Sequence, residues 1–177
     1  MAVVAALMIA CEASPQGSPA TPTPTSGKTA AAADFAPAEG AEVIPGGCNG
    51  TKVYRGPIPP SLDSAAGHNS PHSPYVIADP PIAAGFLFKY PLKGGFPGPN
   101  ESTNKILWVV KDRKRSYFSI DGHPHGANRP IVHFSRPADS GPGEIYPDGE
   151  DVPTPGCWDF TLKWAGLVAH VSLEYGP

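Results

Sequence analysis

The sequence predicts an all-β domain, a small antiparallel sandwich, preceded by a disordered N-terminal tail. Three observations carry that expectation. Beyond Gly46 the apolar residues come in short blocks separated by Pro and Gly, the punctuation of all-β folds. The final block alternates apolar and polar residues with period two, as a half-buried strand does. Finally, 24 Pro among 177 residues leave little uninterrupted chain for long helices, because Pro removes a helical hydrogen bond and clashes with the preceding turn. The length suffices for one domain plus a tail. A balance of 13 basic against 16 acidic side chains, net charge −3, argues against a nucleic-acid partner, which needs many unopposed cations to displace phosphate counterions.

Residues 1–10 read as a signal. The run from Ala2 to Ala10 is uninterruptedly apolar but far short of the ~20 residues an α-helix needs to cross a bilayer. Such a run ahead of a small residue is expected of a secretory signal peptide. Met8-Ile9-Ala10-Cys11 resembles the signal box of bacterial lipoproteins, with Met8 where Leu is usual and no Lys or Arg ahead of the apolar run, which points to a start upstream of Met1 or a weak signal. The resemblance implies that Cys11 is lipidated, becomes the mature N-terminus and anchors the protein to the membrane at the cell surface. The alternative is a cytosolic protein with an apolar N-terminus. Residues 11–45, rich in Ala, Pro and Thr, bury too little apolar surface to offset the entropy of ordering and read as a disordered tether. A flexible chain of that length reaches on the order of 30 Å.

The folded domain is expected over residues 46–177. Its earlier apolar blocks are Tyr75 to Ala78, Gly85 to Tyr90, Lys105 to Val110, Ser116 to Ile120 and Pro130 to Ser135. Trp158, Phe160, Leu162 and Trp164 then share one face of a strand, with Asp159, Thr161 and Lys163 on the other. Ala165-Gly166 turns the chain, and Ala169, Val171, Leu173 and Tyr175 alternate with His170, Ser172 and Glu174 to complete a hairpin. That makes about seven strands, enough for a sandwich. With Cys11 carrying lipid, Cys48 and Cys157 remain, and an even count in an oxidising compartment favours a disulfide over two buried thiols. Closing a loop of about a hundred residues contributes on the order of 4 kcal/mol by restricting the unfolded chain.

Val152-Pro153-Thr154-Pro155-Gly156-Cys157-Trp158, with the hairpin after it, resembles the C-terminal signature of an immunoglobulin-like domain in bacterial lipoproteins, where a Pro-rich stretch leads into Gly-Cys-Trp and a closing hairpin. The resemblance implies an immunoglobulin-like antiparallel β-sandwich outside the cytoplasm. It implies no ligand and no activity.

Six histidines are the natural place to look for metal chemistry. His123 and His125 flank Pro124 in a predicted turn from Asp121 to Gly126, where two imidazoles could grip one ion, with His68, His72, His133 and Asp121 as further ligands. The spacing fits no named metal motif, and the competing reading is a hairpin connection with both rings in water. His170 reads as a solvent-side strand residue. A copper electron-transfer site fails on ligands, since both methionines, Met1 and Met8, lie in the signal segment. No Gly-x-Ser-x-Gly elbow occurs. Glu144, Asp148, Glu150, Asp151 and Asp159 supply carboxylates, but Pro142, Gly143, Pro147 and Gly149 among them indicate a solvated loop. Lys111, Arg113, Lys114 and Arg115 concentrate four of the 13 basic residues between two predicted strands. They read as an exposed hairpin tip, or more sharply as an anion-binding finger for phospholipid heads or acidic wall polymer.

The expected role is a surface-anchored binding or structural module without catalysis or cofactor, monomeric, whose partners are the membrane through its lipid and a cell-wall polymer or protein. The rivals are a divalent-metal protein using His123 and His125, and a hydrolase of cell wall or polysaccharide.

Overall fold

The hairpin that the alternation predicts forms the middle and one edge of the first layer. β9 (Gly156–Trp164) and β10 (Leu167–Tyr175) pair along their whole length, Leu167 opposite Trp164 and Tyr175 opposite Gly156. The reversal is the two-residue turn Ala165-Gly166, with φ of 46° and 81°, the left-handed pair whose twist matches that of the flanking strands. β6 (Phe118–Pro124) lies on the other side of β9, and β7 (Val132–Arg136) lies beyond it, giving the four-stranded order β10-β9-β6-β7. Trp158, Phe160, Leu162 and Trp164 of β9 are buried, as the period-two pattern requires. Gly122 of β6 admits no larger residue, because a Cβ there would stand 2.5 Å from the Phe160 ring.

The second layer has six strands in the order β1-β2-β3-β4-β5-β8, all antiparallel: β1 (Glu42–Ile44), β2 (Val53–Arg55), β3 (Tyr75–Ile77), β4 (Ala83–Leu87), β5 (Lys105–Val110) and β8 (Ile145–Gly149). The structure is a computed structural model and describes residues 35–68, 70–98, 101, 103–111, 114–139 and 145–177. The expected signal, Cys11, the tether as far as residue 34, Arg113 and Glu144 lie outside the described residues. The fold is already established before the expected boundary at Gly46: β1 precedes it, and the buried Phe35 donates its N–H to the Pro81 carbonyl at 2.8 Å.

Between the layers sits an aromatic core. Phe118 of β6 stacks on Tyr146 of β8 at 4.9 Å between ring centroids and lies 6.0 Å from Trp108 of β5 and 5.7 Å from Trp164 of β9. The six-stranded sheet also has a covered outer face. There α1 (Pro60–Ala65) places Leu62 with Phe35, Tyr75, Ala84, Phe86 and Val109 in a second apolar cluster. That cover is why every residue of β4 is buried and shows no alternation.

The acidic stretch read as a solvated loop is instead partly inside the protein. β8 is a strand, Asp148 is buried, and Glu150 just beyond it is fully buried. Trp108 donates its indole N–H to Glu150 Oε1, while Oε2 meets no partner among the described residues. Burial pushes the Glu150 carboxyl well above its ordinary 4.5, and neighbouring Asp148 and Asp151 push it further, against the pull of the Trp108 bond. The fold therefore keeps a proton that the unfolded chain releases. The stability this contributes is complete below pH 4.5 and falls as pH rises toward the folded value, by about 1.4 kcal/mol per pH unit. Glu150→Gln, which keeps the neutral shape, is expected to leave the melting temperature at pH 4 nearly unchanged and to raise it increasingly above pH 6. Parallel melting curves for the two proteins from pH 4 to 9 would show that Glu150 is ionised in the fold.

Candidate functional site

Strand alternation turns one set of side chains of the four-stranded sheet away from the core, and apart from Val168 and Cys157 these are polar. They are His133 and Ser135 on β7, Ser119, Asp121 and His123 on β6, Asp159, Thr161 and Lys163 on β9, and His170, Ser172 and Glu174 on β10. Cross-strand register then pairs them. Asp121 stands opposite His133 on one side and Thr161 on the other, and its Oδ1 meets His133 Nδ1 at 2.6 Å while Lys163 Nζ donates to Oδ2 at 2.8 Å. The Lys163 bond first and the His133 bond second hold the Asp121 carboxyl below its ordinary value. Asp159 is gripped more fully. Ser172 Oγ donates to its Oδ1 at 2.5 Å, Asn49 Nδ2 to the same oxygen at 3.3 Å, and His125 Nδ1 lies 2.8 Å from Oδ2. Partial burial raises the Asp159 pKa, but those three hydrogen bonds outweigh it and leave the carboxyl below its ordinary value.

The predicted turn from Asp121 to Gly126 is strand as far as Pro124, and only His125 and Gly126 turn. His123 and His125 do not converge: His123 Nδ1 faces the Pro124 carbonyl at 3.1 Å, and His125 is turned to Asp159. The proposed further ligands are dispersed as well. His133 belongs to Asp121, His68 pairs with Asp63 at 2.9 Å beside α1, and His72 lines a separate surface hollow with Pro57 and Asp63. His170 is exposed, as its place in the alternation predicts, with Nδ1 3.3 Å from Thr161 Oγ1.

Cys48 and Cys157 are joined in a disulfide spanning 109 positions. It does what the spacing predicts, tying the first folded segment to the penultimate strand. Around it the segment 46–51 is laid along β10 by two backbone bonds, Glu174 N–H to the Gly46 carbonyl at 2.9 Å and Cys48 N–H to the Ser172 carbonyl at 3.2 Å, and by Ser172 N–H donating to the Thr51 side-chain Oγ1 at 2.8 Å.

Beside this seam lies an open groove of about 540 Å³ whose lining includes Asn49, Lys52, Tyr54, Asp79, His170 and Ser172. Part of the lining comes from the six-stranded sheet: Tyr54 on β2, stacked 5.4 Å from Tyr75, and Asp79 just after β3. Reciprocal bonds between Asp79 and His170, N–H to carbonyl at 2.8 and 2.7 Å, fasten that part of the lining to β10. Sequence reasoning missed this groove. Asn49-Gly50 was a legible turn signal, but nothing local showed that the turn would stand over β10.

The basic cluster is only partly described. Lys111 leans over the Phe35 ring at 5.8 Å, engaged with the domain's first residues, and Lys114 and Arg115 are exposed. Among the described residues no helix is long and apolar enough to cross a membrane. No protein-family profile matches the chain, and neither a curated protein nor a solved structure shows significant similarity to it.

Proposed function

We propose that this protein is an extracytoplasmic, lipid-anchored binding module whose groove takes a polar, hydroxyl-rich polymer such as a cell-wall glycan. The groove carries the reading. Its lining offers an amide, an ammonium, a carboxylate, an imidazole and a hydroxyl around one tyrosine ring, the mixture that hydrogen-bonds a sugar's hydroxyls while an aromatic face covers its apolar side. The disulfide beside it supports folding in an oxidising compartment, where such bonds persist. The apolar run before Cys11 supports export and acylation. The immunoglobulin-like assignment rests on the Gly156-Cys157-Trp158 hairpin, within an antiparallel sandwich that has ten strands among the described residues where about seven were expected.

Co-sedimentation of the full chain with purified wall polysaccharide tests the groove. Tyr54→Ala is expected to weaken binding roughly tenfold, the effect of losing an aromatic anchor. Arg115→Ser, outside the groove, is expected to leave it unchanged. A wild-type chain that stays in the supernatant rejects the proposal. Intact mass of protein from its native host, with and without reductant, reports signal removal and acylation of Cys11.

A further inference from the structure

We infer that the Cys48–Cys157 seam is a latent zinc-type metal site, closed while the disulfide stands and opened by its reduction, with Cys157, His125 and Asp159 as ligands. Ligand atoms of His125, Cys157 and Asp159 all lie within 4.8 Å of one another, and the same holds for Cys48, Cys157 and Glu174. The two groups share Cys157, whose sulfur stands with an imidazole and a carboxylate in one group and with Cys48 and Glu174 in the other. A thiolate, an imidazole and a carboxylate oxygen, with water completing the tetrahedron, are a donor set that suits Zn²⁺. In the disulfide the sulfurs bond each other and carry no thiolate charge, so the set is incomplete.

The scaffold that gathers these ligands does not depend on the sulfur–sulfur bond. His125 N–H donates to the Cys157 carbonyl at 2.8 Å, Cys48 N–H to the Ser172 carbonyl at 3.2 Å, and Glu174 N–H to the Gly46 carbonyl at 2.9 Å. Asp159 shares its strand face with Cys157 two residues away, and Ser172 and Asn49 hold its Oδ1 from behind. Such outer partners orient a ligating carboxylate. His125 and Asp159 already face each other and need only exchange their mutual hydrogen bond for the ion. Both cysteines are half-buried, within reach of a small reductant.

The opening step balances simply. A trialkylphosphine supplies the two electrons and water the two protons, the disulfide becomes two thiols, and the water oxygen leaves on phosphorus as phosphine oxide. Metal binding then releases the Cys157 thiol proton. The site adjoins the glycan groove, whose lining includes Asn49 and Ser172, but its ligands are other side chains, so either proposal can fail without the other.

The test uses the full chain carrying Cys11→Ser, so that only the two seam thiols report. After phosphine reduction, added Co²⁺ is expected to give thiolate-to-cobalt charge-transfer absorption that a single equivalent of Zn²⁺ erases. The unreduced chain is expected to give neither signal. His125→Ala in the reduced state is expected to weaken Zn²⁺ binding by about tenfold or more, since even losing an outer partner costs on the order of tenfold. Undiminished binding by His125→Ala would mean that two thiols act alone, and overturns the site. So does a reduced chain that takes up no metal. If reduction unfolds the domain, tryptophan fluorescence should show refolding with Zn²⁺, and a chain that stays unfolded with Zn²⁺ present overturns the proposal too.

Discussion

Replacing both half-cystines, Cys48→Ala together with Cys157→Ala, is expected to lower the unfolding free energy in guanidinium titration by about 4 kcal/mol. The disulfide closes a loop of 109 positions, and most of its effect lies in the unfolded chain, which gains freedom when the link is cut. The folded protein should change little, because segment 46–51 keeps its backbone bonds to β10. Near-ultraviolet circular dichroism of the double variant is therefore expected to overlay on that of the parent while the transition moves to lower denaturant. A loss below about 1 kcal/mol would show that the unfolded chain is already restricted there by other means.

Phe118→Ala is expected to cost about 3–5 kcal/mol, the range for truncating a fully buried aromatic residue. Phe118 is the ring through which the two sheets meet, touching Trp108 and Tyr146 of one layer and Trp164 of the other. Its removal opens a cavity walled by large flat rings, which cannot collapse inward without leaving their own strands. Phe118→Leu, which refills much of the space, is expected to cost about 1 kcal/mol. Equal losses for the two variants in the same titration would mean that ring stacking, and not filled volume, holds the layers together.

The parts of the fold legible in the sequence are those buried on one face only. β9 and β10 alternate cleanly because one side of their sheet meets the core and the other meets water. β4 could not be read that way, since α1 and Phe35 cover the face that alternation assigns to solvent. β8 was misread for the opposite reason: its Pro147, Asp148 and Gly149 look like turn chemistry, yet Tyr146 anchors the strand in the aromatic core and Arg136 pairs with the buried Asp148 at 2.9 Å. β1, β2 and α1 are three, three and six residues long, too short to show a period. The half-cystine pairing was accessible because counting suffices for it. The Asp121–His133 and Asp159–His125 pairs were not, because they arise from which strand lies beside which, and no local pattern encodes that.

One consequence of the seam concerns neighbouring molecules more than the single chain. β10 is the outermost strand of its sheet and nine residues long, with amides that another polypeptide could pair with. Asp79 engages it at His170, Thr51 at Ser172 and Gly46 at Glu174, so alternate amides along that rim are already occupied. The disulfide ties this covering segment to β9 as well, and a rim so occupied offers fewer free amides as a template for intermolecular sheet growth.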